Sequence, residues 1–330
     1  MSLLAAARDF GTGLILQAQA LGPGLDLPMQ AVSALGRTEA YLVILPFVLW
    51  AVDRRLAVTA ILLLIANDAA GSLLKLLFHE PRPYWTGAVM ALSSEPSYGI
   101  PSSHACSSLV VWGSLALHAR RPAVTAAAAA LILAMGFSRC YLGVHFPHDV
   151  LAGWMLGGLV LALGLHWRPA LAARWRAMDP MRAFALATAL SLATPMAGIA
   201  AVAALASTPD DPAWREQALR ARSLAPFFTA GGALLGLLAA GTWMERRHPY
   251  GPAVEWKRRG MAFGLGAAGT LVLYAGLGWL FGRLAEPESA AGLALRFLRY
   301  AAVAAWIAGF APRVMLRLGL VRTEGVGAGR

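Results

Sequence analysis

Three short clusters hold most of the residues whose types and spacing suit chemistry. The first is Lys75-Leu-Leu-Phe-His-Glu-Pro-Arg82-Pro83, with two cations seven positions apart. The second is Pro101-Ser102-Ser103-His104, which opens an apolar run. Serine is a preferred helix N-cap, and a helix N-terminus offers unpaired N–H groups to an anion. The third runs from Ser138-Arg139 through His145-Phe-Pro-His148-Asp149. Pro147 suits the first position of a helix. Asp149 then lies about one turn beyond His145, where a carboxylate can hold one imidazole N–H and leave the other nitrogen as a nucleophile. Pooled, the clusters offer three cations (Lys75, Arg82, Arg139), the histidines His104 and His145, the carboxylate Asp149, the serine Ser102 and two helix N-termini. That inventory suits phosphate: cations neutralise it, backbone amides cradle it and histidines transfer it. His145 and His148 are three apart, but no further ligand adjoins them and no group of Asp and Glu collects elsewhere. Neither a metal nor a cofactor is expected.

The elements that must bring these clusters together are membrane helices. Of 330 residues 58% are hydrophobic and only 14% charged, far from the balance of a soluble domain. A soluble enzyme, a disordered chain and a nucleic-acid-binding domain are all disfavoured. The formal charge of +11 sits mainly in short gaps between apolar runs, where basic residues set orientation and meet anionic headgroups. Nine apolar runs recur, near 38–52, 56–78, 103–119, 122–140, 149–167, 182–206, 224–243, 260–282 and 290–312. Each approaches the roughly 20 residues of a spanning helix. The expected fold is all-α: a polytopic bundle of about nine transmembrane helices. Residues 1–37 are read as interfacial N-terminal helices, 38–168 as the core bearing the clusters, and 169–330 as a transmembrane extension. One set of alternate gaps holds 17 of the 28 Lys and Arg and is read as cytoplasmic. The three clusters then face the extracytoplasmic side of a plasma (inner) membrane. The N-terminal MSLLAAARDF lacks a basic n-region, so no removable signal peptide is expected.

Other features have plainer readings. Gly264, Gly266 and Gly269 spell a GxGxxG with no strand before it, which fits close helix packing in a bilayer better than a dinucleotide site. Cys106 and Cys140 read as small buried side chains. Asp68, inside a span, is expected to make a structural hydrogen bond with Asn67 or a neighbouring helix. Tyr84, Trp85 and Tyr98 read as interfacial aromatics or a lid, His79 and Glu80 as a solvated loop, and 210–222 as a short outer helix.

The order and spacing of the clusters resemble the type-2 phosphatidic acid phosphatase superfamily. Its pattern is Lys, six residues, Arg-Pro; then Pro-Ser-Gly-His; then Ser-Arg, five residues, His, three residues, Asp. Lys75, Arg82 and Pro83 match the first part, Pro101, Ser102 and His104 the second, and Ser138, Arg139, His145 and Asp149 the third. The likeness covers about residues 40–168. Ser103 departs from it, standing where the family has glycine. The resemblance implies that His145 attacks phosphorus to form a phosphohistidine and that Asp149 orients it. It further implies that His104 protonates the leaving oxygen, and that Lys75, Arg82, Ser102, Arg139 and the N–H of Ser103 hold the phosphate. The implied function is a metal-independent membrane phosphatase acting on a lipid phosphate or diphosphate, with a bell-shaped pH–rate profile. A phosphoryl or headgroup transferase would use the same residues, and a non-catalytic lipid transporter or scaffold is the alternative of a different class. Expected partners are the lipid substrate and the bilayer, with no nucleic acid.

Overall fold

The computed structural model describes residues 3–324, in which thirteen α-helices are joined mostly by short turns. In chain order they are α1 (Leu3–Gln19), α2 (Asp26–Ala34), α3 (Thr38–Ala51), α4 (Arg54–Phe78), α5 (Ser103–Ala119), α6 (Pro122–Tyr141) and α7 (Pro147–Ala177). There follow α8 (Pro180–Leu205), α9 (Arg215–Ala221), α10 (Ala225–Arg247), α11 (Trp256–Leu284), α12 (Ala290–Ala305) and α13 (Ala311–Arg317). A π-helical turn, Trp306–Phe310, carries α12 into α13. Helix starts follow local chemistry. Pro122, Pro147 and Pro180 occupy first positions, where a missing N–H costs nothing. Asp53 accepts from the Leu56 N–H at 2.7 Å and Asp179 from the Met181 N–H at 2.9 Å.

Each of the nine predicted spans coincides with helix. Seven stretches of the described residues are long and apolar enough to cross a membrane, or eight if the bent pair Pro23–Ala34 and Thr38–Val52 forms one span. α3 has 14 residues and α5 has 17, shorter than a full crossing. α7 runs ten residues past the predicted end at 167, straight through Pro169. Proline removes one ladder bond but leaves the rest of a long helix to carry it. Two three-residue strands were not foreseen: β1 (Tyr250–Pro252) pairs antiparallel with β2 (Val321–Thr323).

The helices sort into two compact units. Of the described residues, the first contains 3–41, 66–166 and 199–223; the second contains 42–65, 167–198 and 224–324. All three clusters lie in the first.

Within the first unit, the position of the α5 N-terminus is set by glycines of α7. A Cβ on Gly153 would lie 2.7 Å from the Ser102 carbonyl oxygen, and one on Gly157 would lie 2.7 Å from that of Cys106. The two helices approach closely because neither position has a side chain, as small residues allow in membranes. The Ser102 N–H donates to the Asp149 carbonyl at 2.9 Å, tying the start of α5 to the first turn of α7.

The second unit uses the same device. Gly232 and Gly236 on α10 lie against the backbone of Phe297 and Ala301 on α12. Gly266 receives the ring of Trp50 and Gly269 that of Trp306, so two members of the GxGxxG pack helices together as expected.

Replacing Gly157 by valine is expected to lower thermal stability in detergent by about 1–3 kcal/mol, because the side chain must overlap α5 backbone. The adjacent Gly158, which has nothing within 4 Å, should accept valine with little change. Paired unfolding curves of the two variants check this.

Candidate active site

The helix ends and loops of the first unit converge on a buried cluster of charge. Lys75 comes from the last turn of α4, Arg139 from the last turn of α6, and Asp149 from the first turn of α7. Arg82 follows α4, and His145 lies in the turn between α6 and α7. Lys75 is 5% exposed; Arg82, Arg139 and His145 are 1% exposed; Ser102 and Asp149 are fully buried. His104 and Ser103, in the first turn of α5, are partly exposed. Every residue predicted for the site therefore lies in this unit, at the ends of the elements expected to carry it.

Three cations buried together need acceptors, and the irregular segment 79–102 supplies most of them. Lys75 Nζ donates to the Tyr98 carbonyl at 2.7 Å and the Gly99 carbonyl at 3.3 Å. Arg82 donates through Nε to the Ser97 carbonyl, and through Nη2 to Ser97 Oγ at 3.0 Å and the Tyr98 carbonyl at 3.2 Å. Its Nη1 donates to the Val144 carbonyl at 2.8 Å and lies 2.9 Å from His145 Nε2. Arg139 pairs through Nη1 with Ser33 Oγ on α2 and through Nη2 with Glu95 Oε1.

These contacts fix the state of His145. A guanidinium only donates, so Nε2 facing Arg82 must present its lone pair. Nδ1 lies 3.2 Å from Asp149 Oδ2, and a carboxylate only accepts, so Nδ1 carries the proton. The same Oδ2 accepts the Phe146 N–H at 3.0 Å, which holds the carboxylate in place. Burial, with Arg82, Lys75 and Arg139 adding repulsion, pushes His145 well below the ordinary imidazole range. The ring is therefore neutral and oriented, with its lone pair on Nε2, an arrangement suited to nucleophilic attack.

The buried polar atoms with no hydrogen-bond partner among the described residues include Ser102 Oγ, His104 Nε2 and Arg139 Nε, and the acceptor Asp149 Oδ1. Ser102 stands at the N-cap of α5, but its hydroxyl makes no capping bond. Buried donors are nearly always paired. Three unpaired ones beside three cations and a helix N-terminus form an arrangement suited to a tetrahedral oxyanion.

Sequence reasoning missed several contributors. Glu95 is the main one: burial disfavours its charge, but Arg139, Arg82, His104 and Lys75 outweigh this and hold its carboxyl down at about 2. Tyr98 is fully buried and not interfacial. Its carbonyl serves two of the cations, while its hydroxyl donates to Asp210 Oδ1 at 3.3 Å. Arg222 closes that corner, donating to Asp210 Oδ2 at 2.9 Å and to the carbonyls of Leu205 and Thr208 at 3.0 and 3.1 Å. The segment around α9 thereby braces the loop that holds Lys75 and Arg82. Trp85 is also buried, and Tyr84 Oη bonds the Glu95 backbone. Glu80, read as solvated, pairs with Arg8 at 3.3 Å. Asp68 accepts from Ser107 Oγ at 3.1 Å and Asn67 Nδ2 at 3.5 Å, the structural role expected of it.

Two family models match separate stretches of the chain. A family model described as the PAP2 superfamily matches residues 56–173. A second, described as the transmembrane extension of PAP2 superfamily phosphatases, matches residues 228–324. The chain is 30% identical over 173 residues to the lipid phosphate phosphatase delta of Arabidopsis thaliana, covering 47% of this chain and 41% of that protein. It is 28% identical over 117 residues to an undecaprenyl-diphosphatase of Sulfolobus acidocaldarius, covering 34% and 55%. The chain thus spans about half the length of these curated relatives. A crystal structure of a transmembrane PAP2-type phosphatidylglycerolphosphate phosphatase from Bacillus subtilis is 24% identical, with a TM-score of 0.43, and covers 50% of this chain and 87% of that one.

Replacing Arg222 by alanine removes the donor to Asp210 Oδ2 and the Nε donor 3.4 Å from the Tyr98 hydroxyl, leaving Asp210 only its bond from Tyr98, and loosens the loop. A stability loss of about 1–3 kcal/mol is expected. The stabilisation that inorganic phosphate gives in a thermal-shift titration should need roughly tenfold more phosphate.

Proposed function

The chain belongs to the PAP2 superfamily, and from that membership and the site's geometry we propose that it is an integral-membrane lipid phosphatase. It hydrolyses a lipid phosphate or diphosphate through a phosphohistidine on His145, and no metal takes part. The observation that carries the reading is the orientation of His145, with its Nδ1 proton on Asp149 Oδ2 and its Nε2 lone pair turned toward the cationic cluster.

The chemistry follows from that orientation. His145 Nε2 attacks phosphorus, and the N–P bond forms as the ester P–O bond breaks. His104 Nε2 gives its proton to the leaving lipid oxygen. A water then attacks phosphorus, losing its proton to His104, and the N–P bond breaks. Inorganic phosphate leaves and His145 regains its lone pair. Lys75, Arg82 and Arg139 neutralise the equatorial oxygens, which accumulate charge in the transition state, as preorganised donors do elsewhere. Ser102 Oγ and the first N–H groups of α5, that of Ser103 included, complete the cradle. Three fixed cations supply the neutralisation that a bound metal supplies in other phosphatases.

The excess of Lys and Arg in one set of gaps supports placing the site on the extracytoplasmic side of a plasma (inner) membrane. A headgroup there can reach the cluster while its tails stay among helices.

The test is phosphate release by purified protein from a panel of lipid phosphates with EDTA present. Release should persist in EDTA and fall by at least about 10³-fold in a His145→Ala variant, the loss typical of a removed nucleophile. The profile of kcat/KM against pH should be bell-shaped. Its acid limb reports protonation of His145, and a depressed folded-state pKa keeps the neutral ring dominant as pH falls through 6.5. Activity confined above pH 7, or abolished by EDTA, would contradict this mechanism.

A further inference from the structure

Glu95 is outside the three clusters, yet the structure places it with care. Tyr84 Oη donates to the Glu95 carbonyl at 3.0 Å and accepts its N–H at 3.1 Å, fixing the backbone at that residue. The Glu95 carboxylate pairs with Arg139, and the same Oε1 lies 3.9 Å from His104 Nδ1. His104 is equally constrained: a Cβ on residue 36 would lie 2.6 Å from its Cδ2, so the ring rests on Gly36. Its other nitrogen, Nε2, is buried with no partner. One nitrogen thus faces a carboxylate while the other is without a partner; the first relation resembles that of His145 Nδ1 with Asp149, at 3.9 Å instead of 3.2 Å.

We propose that Glu95 is the positioning carboxylate of His104: it holds the Nδ1 proton so that Nε2 exchanges protons with the leaving oxygen and then with water. The proposal rests on the phosphatase reading. In the structure Glu95 is held by Arg139. A phosphate bound at Arg139 takes over that guanidinium and leaves the carboxylate to close the gap to Nδ1. The proton balance requires such a partner. Imidazolium gives the Nε2 proton to the ester oxygen as the P–O bond breaks. The neutral ring keeps its Nδ1 proton on Glu95, so its lone pair is on Nε2, ready to deprotonate the attacking water. Glu95 stays anionic throughout, as its low-lying carboxyl range allows. Without it, the neutral ring can hold its proton on either nitrogen.

The charges that face His104 show what is at stake. Glu95 approaches from the loop, Arg139 from α6, Arg82 from the segment after α4, and Arg37 from the turn before α3. Burial and three cations disfavour the imidazolium; Glu95 is the one anion in that set that opposes them, and in the proposal the substrate phosphate joins it.

The experiment measures kcat/KM from pH 5 to 9 for the full chain and its Glu95→Gln and Glu95→Asp variants. Two substrates are used: a short-chain phosphatidic acid, whose alkoxide must be protonated to leave, and p-nitrophenyl phosphate, whose phenolate leaves unaided. Glu95→Gln should lower kcat/KM for the alkyl ester about tenfold to a hundredfold at neutral pH, the usual range for general-acid catalysis, and shift its alkaline limb to lower pH. The aryl ester should change by less than about threefold, and Glu95→Asp should recover part of the alkyl activity. Equal losses on both esters would mean that Glu95 only supports the fold or Arg139, and would overturn the proposal. Equal gains would mean that it merely competes with phosphate for Arg139, and would also overturn it. A wild-type chain that releases phosphate from neither ester defeats the phosphatase reading itself, and this proposal with it.

Discussion

Lys75, Arg82 and Arg139 are buried side by side, and the rest of the first unit is arranged around that fact. Removing a charge from water costs several kcal/mol unless hydrogen bonds and counter-charges replace the solvent. A helix cannot supply them, because its carbonyls are already spent on its own ladder. The chain instead gives up regular structure over 79–102, a costly choice near a membrane unless the backbone lines a polar site. The freed carbonyls of Ser97, Tyr98 and Gly99, with that of Val144, point at the cations. Two carboxylates, Glu95 and Asp149, leave the cluster with one positive charge in excess. The donors that remain unpaired there, on Ser102, His104 and Arg139, make an incoming phosphate the group that completes both the charge and the hydrogen bonding.

The same cations set the state of His145, the proposed nucleophile. A histidine among positive charges loses its proton readily, which keeps it neutral, but repulsion alone says nothing about which nitrogen stays protonated. Asp149 and Arg82 decide that from opposite sides of the ring, one accepting and one donating. Removing Asp149 would leave Arg82 facing Nε2 but take away the acceptor of the Nδ1 proton that holds the ring in place. Position depends on packing further out: the glycines of α7 let the α5 N-terminus approach, and the Ser102 N–H on the Asp149 carbonyl locks the two helix starts together.

The spans, and the placing of the eight candidate residues at helix ends of one unit, were legible because their signals are local. Apolar runs declare helices, and Lys75/Arg82 or His145/Asp149 declare themselves by spacing. Glu95, Ser33, Asp210 and Arg222 were not, because their roles arise only from contacts between segments distant in sequence. Arg139 meets Ser33 across 106 positions and Glu95 across 44. In isolation each of the four is an ordinary polar residue in a loop or near a helix end. Tyr98 misled for the same reason: near a membrane an aromatic residue next to a loop reads as interfacial, whereas here its hydroxyl is taken up by Asp210. The strand pair β1–β2 is too short, three residues a side, to leave any periodic trace.

Ser103 is the one position where the sequence departs from the pattern it otherwise matches. A glycine beside a phosphate cradle serves either by reaching a left-handed backbone conformation or by leaving room. The first is not needed here. Among the described residues the non-glycine positions with positive φ are His79 and Arg120, and Ser103 begins α5 with helical geometry. Its N–H, at the first helical position, has no intrahelical acceptor and is free to meet an oxyanion. What serine changes is therefore the space and polarity beside the phosphate: a hydroxymethyl group at a partly exposed position. Under the proposed function that alteration bears on the space beside a bound headgroup, without disturbing the backbone donor.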